Sequence, residues 1–167
     1  GFMHREGQGG PVSMEQARLW FGKAAELGDS EAQYELGVMH KNGEGGPETS
    51  MEQARVWFEN AAEQGHLNAQ YNLGQMHYHG EGGPVSMEQA RLWYEKAAVQ
   101  GQCDAQNNLG LMYERGEGGP VSMEQSRLWY RRAAASEAQQ TSGGDSKQAT
   151  STKAPRKRNS KKQKPNE

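Results

Sequence analysis

Three histidines of this 167-residue chain, His4, His40 and His77, recur at intervals of 36 and 37 residues, and the next equivalent position holds Tyr113. Imidazole is the commonest metal ligand. Side chains one interval apart on packed helices, however, stand on the order of 10 Å from each other, whereas zinc holds nitrogen at about 2 Å. His77 and His79 are two apart and point to different faces of a helix. The recurring histidine is therefore expected to pack or hydrogen-bond, and no metal is expected. Cys103, the single cysteine, could be a nucleophile, yet Ser30 and Leu67 fill its position in other copies, and it has no partner for an internal disulfide. Turns such as Gly43-Glu44-Gly45-Gly46-Pro47 have the glycine content of a phosphate cradle but lack the Gly-Lys-Ser/Thr ending that supplies a lysine and a metal-binding hydroxyl. They read as structural turns. No catalytic residue, no cofactor and no enzyme activity are expected.

The elements that carry these residues are set by repetition. Ser-Met-Glu-Gln-Ala/Ser-Arg-Leu/Val-Trp-Phe/Tyr begins at Ser13, Ser50, Ser86 and Ser122, and its tryptophans, Trp20, Trp57, Trp93 and Trp129, are spaced by 37, 36 and 36. A fixed period in this range, with the only length change in a Gly/Pro loop, marks a solenoid of stacked units. Each serine is an N-cap with a glutamine three residues on, as in a capping box, and a glutamate in the first turn. Ala54, Trp57, Ala61 and Ala62 then mark one face of an amphipathic helix, which Gly28, Gly65 and Gly101 end in the left-handed conformation. A second helix is expected over Glu31–Asn42, Asn68–His79 and Asp104–Arg115. Gly37, Gly74 and Gly110 inside it each cost about 1 kcal/mol relative to alanine, which implies a close crossing where no side chain fits. The four tryptophans are expected to hold the array together.

Hydrophobic residues make up 33% of the chain, little for a globule but sufficient where each unit buries its face on the next through alanine and aromatic side chains. The net charge of −2 hides two halves: residues 1–138 hold 11 basic and 19 acidic side chains, and residues 139–167 hold 8 and 2. The second segment has no apolar periodicity and is expected to be a disordered basic tail. Its Lys153, Arg156, Lys157, Arg158, Lys161, Lys162 and Lys164 have the density of a nuclear import signal, or of a weak, non-specific nucleic-acid contact without aromatic stacking. No run approaches the 18 or so apolar residues of a membrane span. A cytoplasmic or nuclear location is expected. Gly1-Phe2-Met3-His4 aligns with Gly37-Val38-Met39-His40, so the chain is expected to begin within a unit as a fragment of a longer array.

The pattern Ala-Gln-Tyr-Asn-Leu-Gly-x-Met-His/Tyr-x-x-Gly-Glu-Gly, followed by Ala-Arg-x-Trp-Tyr/Phe-x-x-Ala-Ala-x-x-Gly, resembles the Sel-one-like repeat (SLR) family, relatives of the tetratricopeptide repeats. The likeness covers residues 1–138, departing at Asn107, where Tyr34 and Tyr71 are aromatic, and at Ser126, where other copies have alanine. The resemblance implies an all-α, right-handed α/α solenoid serving as a scaffold or adaptor for other proteins, with the second helix of each pair lining a concave groove.

Positions that repeat faithfully serve packing; those that vary are free for other work. Glu31, Glu35, Val38 and Asn42 lie at i, i+4, i+7 and i+11, and their counterparts are Asn68, Asn72, Gln75 and His79, then Asp104, Asn108, Leu111 and Arg115. This stripe is the expected partner-binding surface, with amides suited to an extended peptide backbone. The alternative reading is a nuclear or nucleic-acid-associated protein that acts through its tail.

Overall fold

The computed structural model describes residues 13–46 and 48–144. Within them the chain forms seven helices and no strand: α1 (Met14–Glu26), α2 (Ser30–Asn42), α3 (Met51–Glu63), α4 (Leu67–His79), α5 (Met87–Val99), α6 (Cys103–Arg115) and α7 (Met123–Gly144). Each helix packs on its neighbours in sequence, which makes an all-α solenoid. The last helix runs past the boundary expected at 138. The rest of the tail, with the seven basic residues named above, lies outside the described residues, as does His4.

The serine caps form as expected, but the box is only half made. The N–H groups of Gln16, Gln53, Gln89 and Gln125 donate to the serine hydroxyls at 3.3 Å. The serines' own N–H groups at 50, 86 and 122 go instead to the carbonyls of His40, His77 and Tyr113, at 2.9, 2.9 and 2.8 Å, so the glutamine side chain has no donor to reach back for. The second helices start one residue earlier than expected, because Asp29, His66 and Gln102 accept from the N–H groups of Ala32, Ala69 and Ala105. Three different side chains do one job there, which hid the shared cap. Gly28, Gly65 and Gly101 take φ of 88°, 89° and 93°, as the helix stops require.

The core shares the role given to tryptophan with a second ring: Trp93 and Trp129 join the core of the preceding unit, but not alone. Trp93 and Trp129 are buried, Trp57 is half-buried, and Trp20 remains 46% exposed. The aromatic next in sequence is the more deeply set in the first three copies: Phe21 at 3%, Phe58 at 0% and Tyr94 at 2%. Successive helical residues face about 100° apart, and it is this second ring that turns onto the preceding helix. A Cβ on Gly37 would stand 2.7 Å from Phe58, and one on Gly110 would stand 2.9 Å from Tyr130. The expected close crossing is therefore a helix meeting a ring. Where Tyr34 and Tyr71 lean on Phe58 and Tyr94 at 5.8 and 5.9 Å, Asn107 supplies no ring, and Tyr130 stays 36% exposed.

One recurring contact was missed in the sequence. Gln33, Gln70 and Gln106 are buried, and each donates back to the preceding helix, at the carbonyl of Ala25, Ala62 or Ala98. Their side-chain oxygens accept from the following unit: Gln64 to Gln33 and Gln100 to Gln70, both at 2.7 Å, and Ser136 to Gln106 at 3.2 Å. Polar atoms in the core thus satisfy one another across each junction.

Candidate functional site

The variable stripe runs along α2, α4 and α6, and the structure divides it. On α2 its side chains bond or pack largely within the protein, although Glu31 and Asn42 remain exposed. Glu31 Oε2 lies 3.0 Å from His66 Nε2, whose ring stacks on Tyr34 at 4.6 Å. Glu35 is buried, Val38 packs against the core, and Asn42 donates to Glu44 at 2.9 Å. Asn72 is half-buried, Asn68 and Asp104 are exposed, and exposed Arg115 lies 3.8 Å from Glu117.

Between α4 and α6 the stripe opens. A pocket of about 230 Å³ is lined there by Gln75, His79, Asn108 and Leu111, all from the expected stripe, together with Tyr71, Tyr78, Tyr94 and Met112, which are not. The Gln75 amide donates to the Tyr71 hydroxyl at 2.9 Å. Asn108 stands beside the Tyr71 and Tyr94 hydroxyls, and the Tyr78 hydroxyl donates to Glu117 at 3.1 Å. Burial raises the Tyr71 pKa, with the Asp104 carboxylate adding to it, and burial raises that of Tyr94 further. These phenols stay protonated at neutral pH. The tyrosines escaped notice because the pocket takes residues from three helices, while a stripe follows one face of each.

The recurring histidine has the hydrogen-bonding role expected of it. His40 Nδ1 lies 2.9 Å from Arg18 Nη2, and His77 Nδ1 lies 2.8 Å from Arg55 Nη2; in the next unit the Arg91 guanidinium sits 3.7 Å over the Tyr113 ring. Burial, and secondarily the adjacent guanidinium, lowers the pKa of both histidines below 6.5, so each is a neutral acceptor. Among the described residues no group of three His, Cys, Asp or Glu side chains could hold a metal, and no helix is long and apolar enough to cross a membrane. A larger, shallow depression of about 880 Å³ lies between α1 and α3 over His40. It is edged by Gly22, where the other units carry Glu59, Glu95 and Arg131.

Four copies of the Sel1 repeat model match the chain, over residues 1–29, 30–66, 67–102 and 103–137. The chain belongs to the Sel1 repeat family. Proteins of this family are in general protein-interaction scaffolds. Two solved Sel1 repeat structures are similar to it. One is a Sel1 repeat protein from Oxalobacter formigenes, with a TM-score of 0.77 and 31% identity over 80% of this chain and 55% of that one. The other is c5321, a protective antigen present in uropathogenic Escherichia coli strains and displaying an SLR fold, with a TM-score of 0.68 and 40% identity over 77% of this chain and 28% of that one. The Sel1 array described here thus spans about half the length of the first and just over a quarter of the second. No curated protein gives a match.

Proposed function

We propose that this Sel1 array is a non-catalytic adaptor that receives an extended segment or a domain of another protein on the face built by α2, α4 and α6. The observation that carries the reading is the pocket between α4 and α6, where Gln75, His79, Asn108 and Leu111, which vary between copies, line a cavity together. Asn68 and Asp104, exposed on the same face, give an incoming backbone polar groups to meet. The stacked helices supply a rigid support, as a binding face requires.

Display of random 12-residue peptides against the immobilised full chain tests this. Selected peptides should bind wild type and lose at least tenfold in affinity against an Asn68→Arg/Asp104→Arg variant whose helicity by circular dichroism is unchanged. Equal binding to both proteins would move the interaction to another surface and overturn the reading.

A further inference from the structure

We infer that the pocket between α4 and α6 is an anchor site for one aromatic side chain of the partner segment. This inference rests on the adaptor reading and adds to it the chemistry of the residue recognised.

Size comes first. At about 230 Å³ the pocket falls short of the roughly 300–1,000 Å³ of sites for drug-sized ligands and cofactors. It exceeds the roughly 150 Å³ cavity that accepts a benzene molecule in a protein core. One aromatic side chain fits within that interval, and a nucleotide does not.

The lining chooses among side chains. Leu111 and Met112 give apolar contact, and the methionine sulfur suits a ring edge. Tyr71, Tyr78 and Tyr94 offer rings for tilted or edge-on packing, the arrangement Tyr71 and Tyr94 already adopt with each other at 5.9 Å and 43°. No Asp, Glu, Lys or Arg is among the lining residues, so a charged side chain would be desolvated there without a counter-ion. Glu117, which borders it, already accepts from the Tyr78 hydroxyl. Gln75 is tied to Tyr71 and Asn108 stands beside Tyr71 and Tyr94, which fixes the phenols as walls and leaves the pocket preformed, the condition under which little ordering is lost on binding. The neighbouring junction is lined differently. There Val38 replaces Gln75 and packs against the core, and Lys41 in place of Tyr78 pairs with Glu81 at 3.4 Å. The anchor belongs to this one step of the array.

The test is a methyl-detected NMR titration of the full chain with N-acetyl-tyrosinamide, and in parallel with N-acetyl-lysinamide. The tyrosine probe at millimolar concentration should shift the Leu111 and Met112 methyl signals by ring current, and the lysine probe should leave them in place. A Leu111→Trp variant, which fills the pocket at a position that tolerates valine and glutamine in other copies, should abolish the shift of the Met112 methyl, the reporter it retains. No shift in wild type with the tyrosine probe, or an equal shift with lysine, overturns the inference whether or not the variant folds. Peptides that bind the Asn68/Asp104 face while the tyrosine probe does nothing would leave the adaptor reading standing and remove the aromatic anchor. A probe that binds while no peptide does would have the opposite meaning.

Discussion

Gly74 lies against the ring of Tyr94, so closely that a Cβ built on the glycine would stand 2.7 Å from Cδ1 of the tyrosine. Gly22, also inside a helix, faces open space: a Cβ there would meet no atom within 4 Å. The two should respond to alanine with opposite signs. Gly74→Ala gains helix propensity of about 1 kcal/mol but overpacks a buried ring, at a cost of roughly 1–3 kcal/mol, and should lower stability. Gly22→Ala should raise it by about 0.5–1 kcal/mol. Urea unfolding of both variants checks the pair, and a stabilised Gly74→Ala would sink the ring-contact account.

Stability should fall in mild acid through the two histidines. Because burial and the Arg18 or Arg55 guanidinium hold His40 and His77 below 6.5, the unfolded chain binds protons that the folded chain refuses. Their contribution is complete above about pH 6.5 and declines as the pH drops toward the folded-state values. Thermal melts from about pH 7.5 to 5 should show the loss. A His40→Tyr/His77→Tyr variant, following Tyr113, should have a flatter profile, and an unchanged slope would exclude these residues as its source.

The half-made capping box separates its two members. Ser86→Ala should cost about 0.5–2 kcal/mol, because the Gln89 N–H loses its acceptor. Gln89→Ala should be close to neutral, since the Ser86 N–H is held by the His77 carbonyl. Equal losses in chemical denaturation would mean that the glutamine does reach back.

Phe58→Ala should cost about 3–5 kcal/mol, being fully buried, and Trp57→Ala clearly less, being only half-buried. Reversal of that order in melting temperature would restore the tryptophan as the principal wedge.

Gln70→Ala should cost roughly 1–3 kcal/mol, since it leaves the Ala62 carbonyl and the Gln100 amide without their shared partner. An apolar swap that proved neutral would show that the link between units is dispensable.

The architecture was legible because period, serine caps and glycine stops are local signals repeated three or four times, and each copy confirms the others. The histidine's role was legible too, since Tyr113 in the same place argues for packing and bonding over ligation. What escaped depended on the third dimension. Phe58 and Trp57 are adjacent in sequence, and only helix phase decides which one meets Gly37. Gln33, Gln70 and Gln106 did leave a trace, an amide kept at every copy beside a core alanine, which is an odd place for a polar residue unless a buried partner awaits it. The pocket left less, because Tyr71 and Tyr78 on α4, Tyr94 on α5 and Asn108 and Leu111 on α6 converge only when the helices are stacked.

The amides of Gln33, Gln70 and Gln106 and the groups that meet them from the following unit form a row of rivets along the array, one per joint. In an array whose units touch only their neighbours, each joint is held separately, and the rivets differ. Two are amides seated at 2.7 Å, and the last is the shorter hydroxyl of Ser136 at 3.2 Å. The carboxyl-terminal joint therefore carries the longest rivet of the three.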